Sequence, residues 1–291
     1  MNSENIRSNR KKYIKPAIVL LIVIALLLFC SYQNRHLETT YYTYKAEQFG
    51  ADLEGYRIVQ ISDLHNAKFG KHNQKLVDRV RECEPDMIVL TGDLVDSNHT
   101  NVDRAVQFVD EIVKICPVYY VTGNHEYWLE KSEYDELMDG LASAGAIILD
   151  DQVVEISRGD AKFRLVGLDD KNLADGTLGT LLNNDQNVAH EDSEKKEFTV
   201  VLAHEPQYLA RYAGTGVDLV LSGHAHGGQF RLPFVGGIVA PDQGFLPEYT
   251  AGEYYMNGTE MIVSRGLGNS VIPVRLFNYP EIVCVELVGK H

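Results

Sequence analysis

The sequence predicts an α/β protein, a sandwich of two sheets with helices outside, preceded by one N-terminal transmembrane helix. Three observations lead to it: an uncharged segment near the N-terminus, regular alternation of strands and helices over residues 57–121, and a later half in which strands outnumber helices. With 45% hydrophobic and 23% charged residues, the 291-residue chain falls outside the disordered and low-complexity classes.

The N-terminal segment favours an uncleaved membrane anchor. Seventeen uncharged residues, 16–32, follow a basic stretch, and this length is near the minimum needed to cross the ~30 Å hydrocarbon core of a bilayer. A cleaved export signal is the alternative, but Leu28, Phe29 and Cys30 supply bulk where cleavage needs small residues. The basic residues before the segment predict a cytoplasmic N-terminus and an extracytoplasmic domain on a single-pass protein of the cell membrane.

The predicted organisation has four parts. Residues 1–15 form a basic cytoplasmic tail, 16–32 the anchor, 33–52 a connecting segment with one β-like run at 39–44, and 53–291 one folded domain. The first 35 residues carry six basic and one acidic side chain, which leaves 21 basic and 40 acidic side chains and a net charge of −19 beyond them. Nucleic-acid binding is therefore not expected, because it needs a basic track.

The first half of the domain has the pattern of a βαβαβ unit. β-Branched or apolar runs at 57–61, 87–91 and 118–121 are predicted strands, separated by two helices with apolar stripes, the second capped by Asn101. Right-handed crossovers make such strands parallel. Further strands are predicted at 163–166, 198–203, 218–222 and 281–288, and residues 171–196 form a polar excursion that is either a lid or a solvated loop.

Polar side chains typical of metal sites follow the predicted strands. They are Asp63, His65, Asp93, Asn124, His204, His224 and His226. Sites in parallel sheets form outside the carboxyl ends of the strands, so these side chains should converge. Imidazole with carboxylate suits Zn²⁺, Fe or Mn²⁺ rather than Mg²⁺ or Ca²⁺, and seven ligands are enough for two metals that share a carboxylate. Two metals held close together in this way stabilise both the attacking and the leaving oxygen of an in-line displacement. The predicted reaction is therefore hydrolysis of a phosphate ester.

The motifs around these residues resemble the calcineurin-like metallophosphoesterase superfamily over about residues 53–290. The strings ISDLHN, TGDLVDS, TGNHEYW, SGHAHGGQFRLP and SRGLGNS resemble its bacterial membrane-anchored or exported branch. This resemblance implies a four-layer α/β/β/α sandwich with a dinuclear centre. It assigns one metal to Asp63, His65, Asp93 and His226. It assigns the other to Asp93, Asn124, His204 and His224, with Asp93 bridging.

The resemblance also implies roles in the reaction. A metal-bridging hydroxide attacks phosphorus in line, and His125 is the general acid that protonates the leaving group. Asp96 matches an acidic residue that orients this histidine in the protein-phosphatase branch, although it is equally typical of a turn or a helix cap. Ser97 stands where that branch has a phosphate-gripping arginine, which disfavours a phosphoprotein substrate.

The anchor and an aromatic stretch at 230–255 favour a substrate at the membrane. We expect cleavage of phosphodiester or pyrophosphate bonds in a lipid-linked or cell-envelope molecule, with the aromatic stretch either contacting a lipid tail or sugar or simply packing a long loop. The alternatives are a phosphomonoesterase acting on small molecules and a non-catalytic extracytoplasmic metal-binding or scaffold protein.

Overall fold

The computed structural model describes residues 3–46, 49, 51–173, 176–184 and 197–289. Its first element is a long helix, α1 (Ser3–Gln33), whose portion Lys15–Gln33 is long and apolar enough to cross a membrane. From Ile18 to Phe29 the large apolar side chains of α1 expose between 37% and 67% of their surface, so this helix does not belong to the core of the domain. The helix fits the predicted anchor.

The remaining elements alternate as an α/β protein requires. The helices are α2 (Gln74–Glu82), α3 (Val102–Ile112), α4 (Asn124–Tyr127), α5 (Lys131–Ala144), α6 (Thr177–Asn184) and α7 (Leu209–Tyr212). The strands are β1 (Glu38–Ala46), β2 (Tyr56–Ile61), β3 (Met87–Thr91), β4 (Val118–Val121), β5 (Ile147–Ile148), β6 (Gln152–Arg158), β7 (Ala161–Gly167), β8 (Thr199–Leu202), β9 (Leu219–Ser222), β10 (Arg231–Leu232), β11 (Gly236–Gly237), β12 (Val239–Ala240), β13 (Gly244–Phe245), β14 (Gly252–Met256), β15 (Thr259–Val263) and β16 (Glu281–Gly289).

Two six-stranded mixed sheets form the centre of the domain. The first has the order β1-β16-β2-β3-β4-β5 and the second β14-β15-β9-β8-β7-β6. The strands β2 to β5 run parallel, as do β15, β9, β8 and β7. The predicted βαβαβ unit is therefore confirmed, and each sheet directs several strand ends toward one edge.

Three apolar clusters define the layers. Ile58 and Val89 from the first sheet pack against Val200 and Leu219 from the second sheet. On the outer face of the first sheet, residues of α2, α3 and α5 such as Leu76, Phe108 and Leu137 form a second cluster. A third cluster covers the outer face of the second sheet and includes Leu178 of α6 and Leu209 and Tyr212 of α7. The layer order is α/β/β/α, as expected.

Local sequence signals account for the buried face of α2 and for the start of α3. Leu76, Val77 and Val80 of α2 lie on one buried face, as their spacing predicts. The side chain of Asn101 accepts a hydrogen bond from the backbone N–H of Arg104 at 2.9 Å, which confirms the predicted cap of α3.

The segment 33–52, predicted to be a connection with one β-like run at 39–44, contributes a strand of the first sheet. Strand β1 pairs in parallel with β16 along nine residues, from Glu38 opposite Glu281 to Ala46 opposite Gly289. The short turn after α1 is therefore followed directly by an edge strand of the first sheet.

Part of the predicted excursion at 171–196 is ordered as α6 beside the second sheet. Positions 174–175 and 185–196 lie outside the described residues, so the choice between a lid and a solvated loop stays a prediction there.

Candidate metal centre

Tight turns at the carboxyl ends of the strands direct the predicted ligands into one buried space. Asp63, His65, Asp93, His224 and His226 all have φ between +44° and +62°. Such conformations are uncommon for residues other than glycine and cost free energy, so they occur mainly where a site requires them. Five of the seven predicted ligands adopt them.

A first group of ligand atoms is contributed by Asp63, His65, Asp93 and His226, all buried. The Nε2 atoms of His65 and His226 lie 3.1 Å apart. The distance from His65 Nε2 to Asp93 Oδ2 is 3.4 Å, and that from His226 Nε2 to Asp63 Oδ1 is 3.6 Å. The four ligand atoms all lie within 4.8 Å of one another, which suits binding to one metal ion.

A second group shares Asp93 with the first. His204 Nε2 lies 3.3 Å from Asp93 Oδ2, 3.1 Å from His224 Nδ1 and 3.1 Å from Asn124 Oδ1. All seven predicted ligand side chains are therefore brought together, and Asp93 stands between the two groups as the expected bridging residue.

The protonation preferences of this site suit cations. Burial lowers the pKa of His65 to about 3 and holds the pKa of His226 well below its usual value, so both rings are neutral ligands at pH 7. The two neutral nitrogens, 3.1 Å apart, and the buried Asp63 and Asp93 side chains present lone pairs to one space. Buried charge of this kind needs a counter-charge, and divalent cations supply it.

The charge of Asp93 also needs a counter-charge. Burial acts to raise the pKa of Asp93, but the nearby His204 has the larger effect and holds this pKa well below its usual value. Burial acts to lower the pKa of His204, but Asp93 has the larger effect and raises it. A protonated His204 therefore balances the buried carboxylate of Asp93.

Comparison with known proteins gives the family of this chain. The family model described as calcineurin-like phosphoesterase matches residues 56–228, a span of more than half the chain that contains all seven ligands. The chain belongs to the calcineurin-like phosphoesterase family. It is a metal-dependent phosphoesterase, and its two ligand groups suit a binuclear divalent metal site.

Two similar sequences and one similar solved structure are as follows. An uncharacterised metallophosphoesterase of Aquifex aeolicus is 34% identical over 88% of this chain and 95% of its own length. Phosphodiesterase YaeI of Escherichia coli is 29% identical over 80% of this chain and 82% of its own length. The structure of a dimetal phosphatase from Danio rerio covers 74% of this chain and 88% of its own, with 17% identity and a TM-score of 0.47.

Groups around the ligands hold this phosphoesterase site in place. His224 Nε2 lies 2.8 Å from Asp242 Oδ2, and His204 Nδ1 lies 2.8 Å from the carbonyl oxygen of Thr91. Metal-binding histidines commonly donate their second ring N–H to such acceptors, which fixes the ring orientation. Asp242 was missed at the sequence level because it lies in the turn between β12 and β13 and belongs to no motif.

A buried carboxylate supports the turn that carries Asp93. Glu126 accepts hydrogen bonds from the backbone N–H groups of Asp93, Leu94 and Gly123 at 2.8–2.9 Å. Burial and the charge of Asp93 raise the pKa of Glu126 to about 8 despite these bonds. The glutamate of the TGNHEYW string therefore positions Asp93, which the two ligand groups share.

His125 lies beside the ligands, and its ring is 4.5 Å from the ring of His65 between centroids. Its Nδ1 lies 3.1 Å from the backbone nitrogen of Ser97, and its Nε2 lies 3.0 Å from Ser270 Oγ. Because the Ser97 N–H donates to Nδ1, the neutral ring carries its proton on Nε2. Ser270 was also missed at the sequence level, although it ends the quoted string SRGLGNS.

Asp96 makes a turn contact and also lies near His125, the residue with which the resemblance pairs it. Its Oδ1 accepts a hydrogen bond from Asn98 N at 2.9 Å and lies 3.8 Å from His125 Nδ1. The turn role that the sequence left open is therefore present, whereas orientation of His125 by Asp96 stays a prediction. Ser97 makes the direct contact instead.

Proposed function

We propose that this protein hydrolyses phosphodiester or pyrophosphate bonds of a lipid-linked or cell-envelope substrate with two ions of Mn, Fe or Zn. The observation that supports this most directly is the pair of buried ligand groups that share Asp93. Resemblance to a protein named phosphodiesterase, YaeI of Escherichia coli, favours a diester over a monoester.

The ligand set divides as follows. Asp63, His65, Asp93 and His226 would hold one ion, and Asp93, Asn124, His204 and His224 the other. Two bound cations would lower the pKa of a water between them and neutralise charge on the phosphoryl oxygens. Asp242 and Glu126 keep His224 and Asp93 oriented for this task.

The leaving oxygen needs a proton, and His125 is our proposed donor. Donation from Nε2 requires a ring protonated on both nitrogens, so that a neutral imidazole is left afterwards. Nδ1–H would then donate to Ser97 Oγ, 3.1 Å away, and a substrate oxygen would replace Ser270 Oγ, which lies 3.0 Å from Nε2. General acid catalysis of this kind contributes about 10²–10⁴-fold. Asp96 would act on His125 only at a distance of 3.8 Å.

The N-terminal helix supports a membrane location. We propose that residues 16–32 cross the cell membrane once, with the tail 1–15 in the cytoplasm and the domain 53–291 outside. Helix α1 leaves its apolar side chains exposed, which is stable in lipid and unfavourable in water. Sequencing the mature N-terminus tests the anchor, because a start near residue 33 would mean a cleaved signal.

A cavity beside the ligands favours a substrate with an apolar part. It has a volume of about 180 Å³, and Val239, Ala240, Pro241, Val271 and Ile272 line it together with His226, Gln229 and Ser270. An acyl chain or a prenyl group next to the scissile phosphate would fill this space.

The test is hydrolysis by the full-length protein, purified in detergent and loaded with Mn²⁺, Fe²⁺ or Zn²⁺ in turn. The substrates are a panel of lipid phosphodiesters and pyrophosphates, the soluble diester bis-nitrophenyl phosphate and the monoester nitrophenyl phosphate. We expect turnover of diesters and a preference for lipids. Monoester hydrolysis alone would contradict the proposed bond type, and bound metal without any turnover would indicate a scaffold.

Two variants separate metal binding from acid catalysis. Asp93→Ala should lose metal, because it removes the shared ligand. His125→Ala should keep its metal and lose about 10²–10⁴-fold in rate on an alkyl ester, but less on nitrophenyl esters, whose leaving group needs no proton. An unchanged rate of His125→Ala on the alkyl ester would exclude this histidine as the acid.

A further inference from the structure

Exposed apolar side chains lie on the two hairpins and the loop next to the cavity beside His226, which Val239 of β12 and Val271 of the loop help to line. Six of them expose 56% or more of their surface, and we call this set the apolar rim: Phe234, Val235, Phe245, Leu246, Val271 and Phe277. Soluble proteins seldom gather large apolar side chains in one exposed patch unless the patch contacts a partner or a membrane.

Three members of the rim are held in a costly backbone conformation. Phe234, Leu246 and Phe277 have φ of 66°, 54° and 51°. Glycine or asparagine would adopt these conformations at lower cost than a bulky apolar residue. The turns thus carry large apolar side chains where turn formation alone would favour small or polar ones.

The rim is continuous with the end of the anchor helix. The rings of Phe29, in α1, and Phe277 lie 5.9 Å apart. Just after α1, Asn34 donates to the carbonyl oxygen of Pro273 at 2.7 Å and accepts from the backbone N–H of Arg275 at 2.8 Å. The loop that carries Val271 and Phe277 is therefore attached to the point where the helix leaves the bilayer.

The same loop extends this contact to the two hairpins. Arg231 N donates to the carbonyl oxygen of Leu276 at 2.9 Å, which places the β10–β11 hairpin and its tip residue Phe234 next to the loop. Ile238 N, directly before β12, donates to the carbonyl oxygen of Phe230, directly before β10, at 2.9 Å and joins the β12–β13 hairpin to the first one. The loop of the rim thus contacts the end of α1 directly, and the two hairpins are connected to α1 through this loop.

We propose that the apolar rim is a bilayer-docking surface, which inserts into the outer face of the membrane that α1 crosses. The cavity beside His226 would then open at the level of the acyl chains, and an amphiphilic phosphoester would enter from the membrane. Exposed aromatic and aliphatic side chains suit this depth. The proposal rests on α1 as an anchor and not on the reaction catalysed.

The test measures the depth of single tryptophans in the full-length protein in nanodiscs. In a Trp128→Phe background, which removes the one native tryptophan, Phe234→Trp reports on the rim and Leu21→Trp on the anchor. Ile147→Trp is the matched control, because Ile147 is also an exposed apolar residue but lies on β5, at the opposite edge of the first sheet from β1. Five strand spacings separate these edges by about 24 Å.

Ordinary lipids in the nanodiscs are then replaced by lipids brominated near the headgroup end of the acyl chain. A docked rim lies roughly 5–10 Å into the interface, so fluorescence of the Phe234→Trp variant should fall by about half or more. The Leu21→Trp variant should also be quenched, and the Ile147→Trp variant should not. Adding Phe234→Asp to a Phe245→Trp variant should reduce quenching at the second rim position.

The other outcomes overturn the proposal in distinguishable ways. Quenching of Leu21→Trp with none at Phe234→Trp or Phe245→Trp would leave the anchor intact and refute docking. Absence of quenching at all positions would refute both. Because quenching needs no turnover, a catalytically inactive protein with a quenched rim would contradict the proposed reaction and support the surface.

Discussion

Replacing Gly223 with alanine should disable the metal centre while leaving the fold largely intact. Gly223 follows β9, and a Cβ atom there would overlap Ser62 Oγ and lie 2.5 Å from Asp63 Oδ2. Ordinary contact begins at about 3.4 Å, so the Asp63 carboxylate must retreat by 0.9 Å or the β9 turn must move. Displacing a catalytic group by about 1 Å costs on the order of 10²-fold in rate.

Overpacking at this point should also cost about 1–3 kcal/mol of unfolding free energy. The assays are metal content of the purified protein, diester turnover and thermal unfolding with and without metal. Gly179→Ala is the matched control, because Gly179 lies in α6 and its added Cβ meets no atom within 4 Å. Adding Ser62→Ala to Gly223→Ala should recover stability more than activity, since the contact with Asp63 remains.

Wild-type metal content and turnover in the Gly223→Ala variant would refute this reasoning. It would mean that the turn after β9 adapts without moving Asp63, and that the close approach of the two chain segments is not needed for metal binding.

Three further perturbations test other features. Asp242→Asn should weaken metal binding or activity by about 10–100-fold, measured by titration with a metal indicator, because His224 loses its orienting carboxylate. Burial raises the pKa of Glu260 to about 7, above its value of about 4.3 in the unfolded chain, so its cost to stability grows as pH rises from 4.3 to 7. Glu260→Gln should therefore stabilise the protein by about 1–2 kcal/mol at pH 8 and little at pH 4.5 in urea unfolding, and an equal effect at both pH values would contradict this reasoning. Asn101→Ala should cost about 1 kcal/mol in the same unfolding assay through loss of the α3 cap, and an unchanged midpoint would contradict that role.

The fold could be predicted largely because its strongest signals are local. The runs at 87–91 and 118–121 are buried on every face or nearly so, and the strands begin and end where the apolar runs do. Strand β6 was missed because most of its residues are partly or fully exposed, which leaves little alternation to detect. Strand β14 is similarly exposed at the edge of the second sheet.

The ligands could be identified because each one directly follows a strand, and parallel strands bring their carboxyl ends to one edge. Which ligands form which group came only from family resemblance, since Asp63 and His226 are distant in the chain. Asp242 and Ser270 show the limit of local patterns. Each contacts the site from a loop whose path is set by tertiary packing, and the contact of Ser270 with His125 spans 145 positions.

The pairing of β1 with β16 determines how a soluble version of this enzyme has to be designed. A truncation at residue 53, at the start of the predicted domain, would remove β1 and turn β16 from an inner strand into an edge strand. Its backbone N–H and C=O groups would lose their partners along nine residues and could pair with another copy, which promotes aggregation. Expression should therefore start at or before Glu38, and strand β1 belongs in every truncated form of the protein.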